Sequence, residues 1–461
     1  MMVSSENKGR VAMKTCSVLI LSFILLFGLT GCNQPIAEDT LSTVVAGTLE
    51  ALDSGGVADG VDPKLADTTM EAAEDPAPLA PTIPPLDPGP GVLTIAYLNA
   101  GEVWFVQEGG TPIQLTTSGN VEKVILSTDA QLAVFVRHEL SPEFYELRAV
   151  DTASGTETVL VSQADFDAFY PLDGALHHAP YQLDFIPGTH TLLMNTREVF
   201  EGPGLLQNNE LWSIDADTST RTLLLERGLG GDFYISPGGG QLALVLPTSI
   251  GFANIDGTGR SPDHLIFPFV ITYSEYAYYP IPVWSLDGSG VVVVIPPADP
   301  LVDDIAQVWR VPVSGAAASL VDLTGFNFFR NQSRNPLLAP DLSKVAFMRE
   351  TAPNTFDLVV APLDGSAESI YTSGDISWQG WNPDSTRFVY SDAPRNYLLG
   401  GLGLPVTGVG FGMYLRWVDA DSLLYLDHLT ATHRFGVVNL PAPASELDVI
   451  SGSVFDYDFT D

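Results

Sequence analysis

The sequence predicts an all-β fold, a β-propeller of eight, or alternatively seven, four-stranded blades, and three observations predict it. An apolar run, a tight polar turn and a second apolar run recur about every 45 residues along most of the chain. Gly at 42 and Pro at 34 of 461 residues supply the turns such a chain needs. The two ends of the repeating region hold complementary parts of one unit.

The clearest unit is residues 279–295, Y-P-I-P-V-W-S-L-D-G-S-G-V-V-V-V-I. Its turn, Ser285-Leu286-Asp287-Gly288, puts a hydroxyl and a carboxylate where they bond local backbone amides, and a Gly where positive φ carries no steric penalty. Residues 291–295 are apolar at every position rather than every second one. A strand of that kind is covered on both faces, as when blades stack face to face. A lone hairpin cannot bury that surface, so the unit needs neighbours.

Seven such turns can be tracked: Ser127-Thr128-Asp129-Ala130, Ile186-Pro187-Gly188-Thr189, Ser236-Pro237-Gly238-Gly239, Ser285-Leu286-Asp287-Gly288, Ala339-Pro340-Asp341-Leu342, Asn382-Pro383-Asp384-Ser385 and Val418-Asp419-Ala420-Asp421. Each is followed by an apolar second strand, and most by a third strand ending in an acidic turn, such as L-W-S-I-D at 211–215, and then a fourth. With Pro340-Asp341, Asn382-Pro383-Asp384 and Gln114-Leu115-Thr116 as its best matches, the pattern resembles the TolB-like repeat, a relative of the WD40 repeat, over about residues 92–461. The glycines 238–240 and the Asp-Ala-Asp after Val418 depart from it.

The first unit lacks an inner strand: 94–98, 102–106 and 113–115 read as second, third and fourth strands. Residues 453–459, S-V-F-D-Y-D-F, form an alternating strand with no hairpin after it. Together they make one shared blade, the closure that leaves a ring without free sheet edges. Seven blades is the alternative count, because the unit around 398–412 is poorly defined.

Before the ring, residues 1–32 read as a targeting segment. Lys14 precedes the apolar run 17–27, which is shorter than the roughly 20 residues of a membrane span. Leu29-Thr30-Gly31-Cys32 then matches the lipobox of bacterial lipoproteins, a resemblance that implies lipid on Cys32. Met13-Lys14 reads as the start of this precursor. Residues 33–91 form a tether holding one amphipathic stretch, 36–53, and a stiff Pro-rich segment from Pro76 onward. The expectation is a lipid-anchored protein of the bacterial cell envelope on the extracytoplasmic side.

Composition narrows the partners. The formal charge is −36, and losing residues 1–32 makes it more negative still. Nucleic acid is excluded as a partner because phosphate binding needs clustered Lys and Arg. Cys16 lies in the removed segment and Cys32 would carry lipid, so neither a disulfide nor a thiolate metal site is expected. His177 and His178 are adjacent and point to opposite sides of an extended chain. Asp215-Ala216-Asp217 lacks the Gly and distal Glu of a calcium loop. No metal and no cofactor are expected.

In an antiparallel meander, the turns joining first to second and third to fourth strands share one side, and here they are short. Joins from second to third strands and from blade to blade share the other side, and the sequence makes them long: 164–180, 198–209, 268–280, 296–306 and 326–335. Function concentrates on such loops. The candidate binding face carries Phe169, Tyr170, Tyr273, Tyr276, Tyr278, Phe328 and Phe329, with Asp165, Asp167, Asp173, Asp303 and Asp304 nearby. The same rings also suit gaps between blades under the loops, and that reading is the favoured one. No catalytic residue stands out. G-x-S-x-G is absent, and Ser285-x-Asp287 has Ser289 where a sialidase box needs Gly. The reading is a non-enzymatic binding protein for a protein or envelope polymer; a hydrolase or lyase acting on an extracellular polysaccharide at the same face is the alternative.

Overall fold

The computed structural model describes residues 91–460, apart from 141–142, 202–205, 273–275, 333–334, 394–395, 410–412, 428–432, 441–444 and 453. The expected signal segment, the lipobox with Cys32, the amphipathic stretch 36–53 and nearly all of the tether lie outside the described residues.

Eight antiparallel sheets follow one another along the chain. Blade 1 spans Val121–Leu126, Leu132–Leu140, Glu143–Asp151 and Glu157–Val161 from inner to outer strand. Blades 2 to 7 begin with inner segments at His177–Phe185, Asp232–Ile235, Val283–Trp284, residues 335–339, Ser377–Trp381 and Met413–Trp417. Blade 8 is the shared one. Tyr457–Thr460 pairs antiparallel with Thr94–Asn99, with Thr94 opposite Thr460 and Tyr97 opposite Tyr457. The all-β ring of eight blades closed by the C-terminal strand is thus observed. The segment around 398–412 supplies two ordinary strands, Asn396–Gly400 and Thr407–Gly408, so the seven-blade alternative falls.

Two blades depart from four strands. In blade 2 a short extra strand, Leu206–Gln207, pairs back on Glu198 and Arg197. In blade 5 the inner segment reduces to a Leu338–Val345 bridge. Pro336 lies within that segment and Pro340 directly follows it, and proline has no N–H to give a ladder.

The turns form as their residues dictate. Ser285 Oγ donates to Asp287 at 2.7 Å, the Gly290 N–H donates to Ser285 Oγ at 3.2 Å, and Gly288 takes φ +69°. Ala130, Leu342 and Ser385 hold the same left-handed place in their own turns.

The core lies between blades. Every residue of Gly290–Ile295 is buried. Val291, Val293 and Ile295 pack with blade 3 residues Ala243 and Val245, whereas Val292 and Val294 pack with blade 5 residues Val345 and Phe347. Period-two alternation therefore feeds two interfaces from one strand, which explains the unbroken apolar run. Side chains on the inner strands also clasp the backbone of a neighbouring blade. Gln182 donates to the Phe233 carbonyl at 2.6 Å and accepts from its N–H at 2.9 Å. Trp284 Nε1 donates to the Tyr234 carbonyl at 2.9 Å, Trp381 Nε1 to that of Leu337 at 2.9 Å, and Arg416 to that of Tyr457 at 2.7 Å.

Candidate functional site

The five joins expected to be long are long, and they gather on one face. The blade-to-blade joins 162–176, 267–282 and 325–337 are long, as are the second-to-third joins of blades 2 and 4, at 200–210 and 296–304. The second-to-third joins of blades 3, 5 and 8 are instead tight hairpins, such as Leu246 to Ser249 and Ala352 to Thr355. The long loops therefore lie over blades 2 to 5.

Between blades 1 and 2 sits helix α1, Gln163–Phe169. Ser162 accepts from the Asp165 N–H while Asp165 accepts from the Ser162 N–H, a reciprocal cap that satisfies two helix-end donors. Phe166 is fully buried, and Phe169 stacks on Trp212 with centroids 4.1 Å apart and planes 20° apart. Tyr170 meets the His178 ring edge-on at 6.2 Å and lies 5.7 Å from the Arg227 guanidinium. Burial raises its phenol to about 12, and its hydroxyl has no hydrogen-bond partner among the described residues. The nearby carboxylates are spent locally: Asp165 pairs with Arg221 at 2.8 Å, and Asp167 accepts from the His178 N–H at 3.1 Å.

Between blades 3 and 4, Tyr276 accepts the Thr272 N–H through its carbonyl at 2.8 Å. Tyr278 packs edge-on against Phe328 at 5.1 Å, and burial pushes its phenol to about 12. Tyr273 lies outside the described residues. Between blades 4 and 5 a single helical turn, α2 (Phe328–Asn331), is capped by Asn327, whose side chain accepts from the Arg330 N–H at 3.0 Å. Phe328 is 2% exposed and Phe329 half-buried against it at 5.3 Å. Asn331 donates to the Met348 carbonyl and accepts from its N–H, standing in for a strand partner.

Tyr278, Phe328 and Phe329 thus meet in one cluster, while Phe169 and Tyr170 lie apart from it between blades 1 and 2. Beside α2, however, an open cleft of about 400 Å³ lies between the Pro300–Asp304 loop, residues 325–329 and residues 350–353. Phe326, Phe328 and Phe329 back it, and Asp304 and Glu350 stand at its rim.

Sequence reasoning missed three carboxylates, one of them fully buried, whose charged forms the fold disfavours. Glu210 is fully buried; burial raises it to about 7 although it accepts from Thr196 Oγ1 at 2.6 Å. Desolvation by the surrounding blades lifts half-buried Asp232 to about 7, and desolvation plus the charge of Asp458 lift Asp184 to about 6 although part of that residue reaches solvent. A lone acid inside an apolar strand, as in D-F-Y-I at 232–235, was the available signal. Among the described residues, no group of three or more His, Cys, Asp or Glu is placed to hold a metal ion.

No family model and no curated protein matches the chain. Solved structures do. Dipeptidyl peptidase 4 of Porphyromonas gingivalis aligns over 77% of this chain at 10% identity with a TM-score of 0.50, this chain spanning 57% of its length. TolB of Acinetobacter baumannii aligns over 60% of this chain and 62% of its own at 16% identity, with a TM-score of 0.31. Oligogalacturonate lyase of Vibrio parahaemolyticus aligns over 74% of this chain and 83% of its own at 12% identity, with a TM-score of 0.43. The likeness is one of fold. The activity of this chain must be argued from its own site, because fold alone does not fix function.

Proposed function

We propose that the protein is a lipid-anchored binding protein of the bacterial cell envelope, held by Cys32 and exposed on the extracytoplasmic side, which recognises a protein or an envelope polymer through its long-loop face without catalysing a reaction. The observation that carries this reading is the asymmetry of the ring. Long joins and the open cleft occur on one face, over blades 2 to 5, while the opposite face carries tight turns whose carboxylates bond their own backbone. Rigid blades presenting irregular loops suit recognition.

Two experiments test it. The full-length protein in detergent is screened against peptidoglycan fragments, envelope polysaccharides and envelope proteins, scored for binding and for cleavage. Binding that falls when the 296–304 or 325–337 loops are altered supports the reading. Turnover that survives purification and disappears with one carboxylate substitution would replace it with the polysaccharide-cleaving alternative. For the anchor, Cys32→Ser is expected to abolish labelling by a radioactive fatty acid; a variant that still takes up label refutes the lipoprotein assignment.

A further inference from the structure

The loop that forms one wall of the cleft ends in an apolar tip. Leu301 and Val302 are 82% and 83% exposed. In the neighbouring join and at the strand ends beside it, Ile266, Phe269, Ile271 and Ile305 are exposed as well. Large side chains held out in water at this density mark an interaction surface.

Carboxylates frame the tip. Asp299, Asp303, Asp304 and Glu350 are all exposed, and the nearby cations form their ion pairs elsewhere, Arg349 with Glu368 at 2.7 Å and Arg330 with Asp375 at 2.9 Å, with Asp304 adding to the field at Arg349 without pairing with it. Asp303 accepts the Ile305 N–H at 3.1 Å, and Glu350 accepts only the Asn327 amide at 2.6 Å. Among the described residues neither Asp303, Asp304 nor Glu350 has an ion-pair partner. The cleft between Asp304 and Glu350 is therefore open, negative at its rim and aromatic at its back.

We infer that this rim of blades 4 and 5 docks a partner protein through a segment in which Lys or Arg side chains flank apolar ones. The cation is received between Asp304 and Glu350 against the Phe329 side of the cleft, and the apolar residues cover Leu301 and Val302. Charge complementarity selects this occupant. A chain of formal charge −36 repels acidic partners, while aromatic backing adds attraction for a cation. A neutral glycan gains nothing from the exposed Leu and Val. The inference rests on the long-loop face being the binding surface and specifies what that surface takes.

The test uses the full-length protein in detergent and a fluorescein-labelled peptide of alternating Lys and Leu, with a Glu–Leu peptide and a chitosan oligosaccharide as comparisons. The Lys–Leu peptide is expected to bind, and D304N/E350Q to weaken it by about tenfold or more, as does L301S/V302S. The control pair E108Q/D364N removes the same charge from the opposite face and is expected to leave Kd unchanged. Equal weakening by the control pair, no weakening by either cleft pair, or cleft-dependent binding of chitosan but not of the peptide each overturns the inference. Photo-crosslinking separates it from the broader reading. Crosslinks elsewhere on the long-loop face, with both cleft pairs inert, refute the cleft alone, whereas crosslinks confined to the tight-turn face refute both.

Discussion

Asp458 accepts the Leu126 N–H at 2.9 Å, a bond between residues 332 positions apart that ties the last strand of the chain to the inner strand of blade 1. Its other carboxylate oxygen accepts from Arg416 of blade 7 at 2.9 Å, so one side chain holds three blades. Asp456 repeats the contact one step along, accepting the Val124 N–H at 3.0 Å. Asp458→Ala leaves a backbone N–H and a guanidinium without their partner. A loss of about 2 kcal/mol is expected, read as a lower midpoint in urea; Asp458→Asn, which keeps an acceptor for Leu126, is expected to lose less.

Deleting residues 453–461 goes further. Tyr457 is buried, and the rings of Phe455 and Tyr457 pack on Phe435 of blade 7 at 5.2 and 5.1 Å. Removing the strand also exposes the edges of Thr94–Asn99 and of blade 1. Each large apolar side chain contributes roughly 1.5 to 3 kcal/mol when buried, so the loss is comparable with the whole stability of a typical domain, about 5 to 15 kcal/mol. The expected outcome is a protein that melts far lower or does not fold, followed by circular dichroism. An unchanged melting temperature would mean that the strand closes nothing.

Gly290 illustrates a requirement of packing rather than of dihedral angle. A Cβ there would meet the Val311 carbonyl oxygen at 2.5 Å and the Pro312 Cα at 2.7 Å, both backbone atoms of the adjacent strand. Gly290→Ala must push that strand away, at a cost of about 1 to 3 kcal/mol. Thermal unfolding checks it. Gly288→Ala, with open space around its Cβ, is expected to cost only the strain of positive φ, about 1 kcal/mol.

Much of this architecture was legible in the sequence. The five apolar residues 291–295 announced a strand covered on both faces, and the alternation in 453–459 announced the closing strand; that its rings pack toward blade 7 came from the structure. Helix α1 went unread although Ser162 and Asp165 have the spacing of a capping pair, because seven residues hold too little periodicity to register. The blade 5 inner strand was obscured by prolines. The candidate site was less legible, since whether Phe328 is a ligand platform or a plug depends on what Tyr278, fifty positions earlier, does to it. The burial of Glu210 depends on Thr196 and on contacts that no local pattern encodes.

His190 links three turns, facing Asp217 at 2.9 Å and Asp129 of blade 1 at 3.0 Å. Burial alone would lower its pKa, but hydrogen bonds to Asp217 and Asp129, reinforced by their charges, outweigh that and leave it raised. Burial acts the other way on Asp129, whose bonds from Ser127, the Gln131 amide and His190 leave it lowered. A raised histidine stabilises the fold below its unfolded pKa, and the contribution is lost as pH rises through the higher folded value. A lowered aspartate stabilises above its unfolded pKa and is lost as pH falls through the folded one. His190→Gln should therefore cost up to about 1 kcal/mol at mildly acid pH and little at alkaline pH, measured as the difference in urea midpoints across the range.

Glu210 drives stability in the same direction for a different reason. Its folded pKa of about 7 stands above the ordinary value because burial penalises the charged form. One oxygen accepts from Thr196, and the other has no partner among the described residues. Below pH 4.5 the group is neutral folded or unfolded and contributes nothing to the pH dependence. As pH rises from there toward 7 the unfolded chain ionises first, so stability falls, and above 7 the penalty levels off at a few kcal/mol, each pKa unit being about 1.4 kcal/mol. Glu210→Gln keeps the acceptor for Thr196 and removes the ionisation. The variant is expected to show a flatter stability profile between pH 5 and 7 and to be more stable than the parent at pH 8, in denaturant titrations at matched ionic strength. A parent and variant with parallel profiles would show that Glu210 is ionised and partnered in the folded protein.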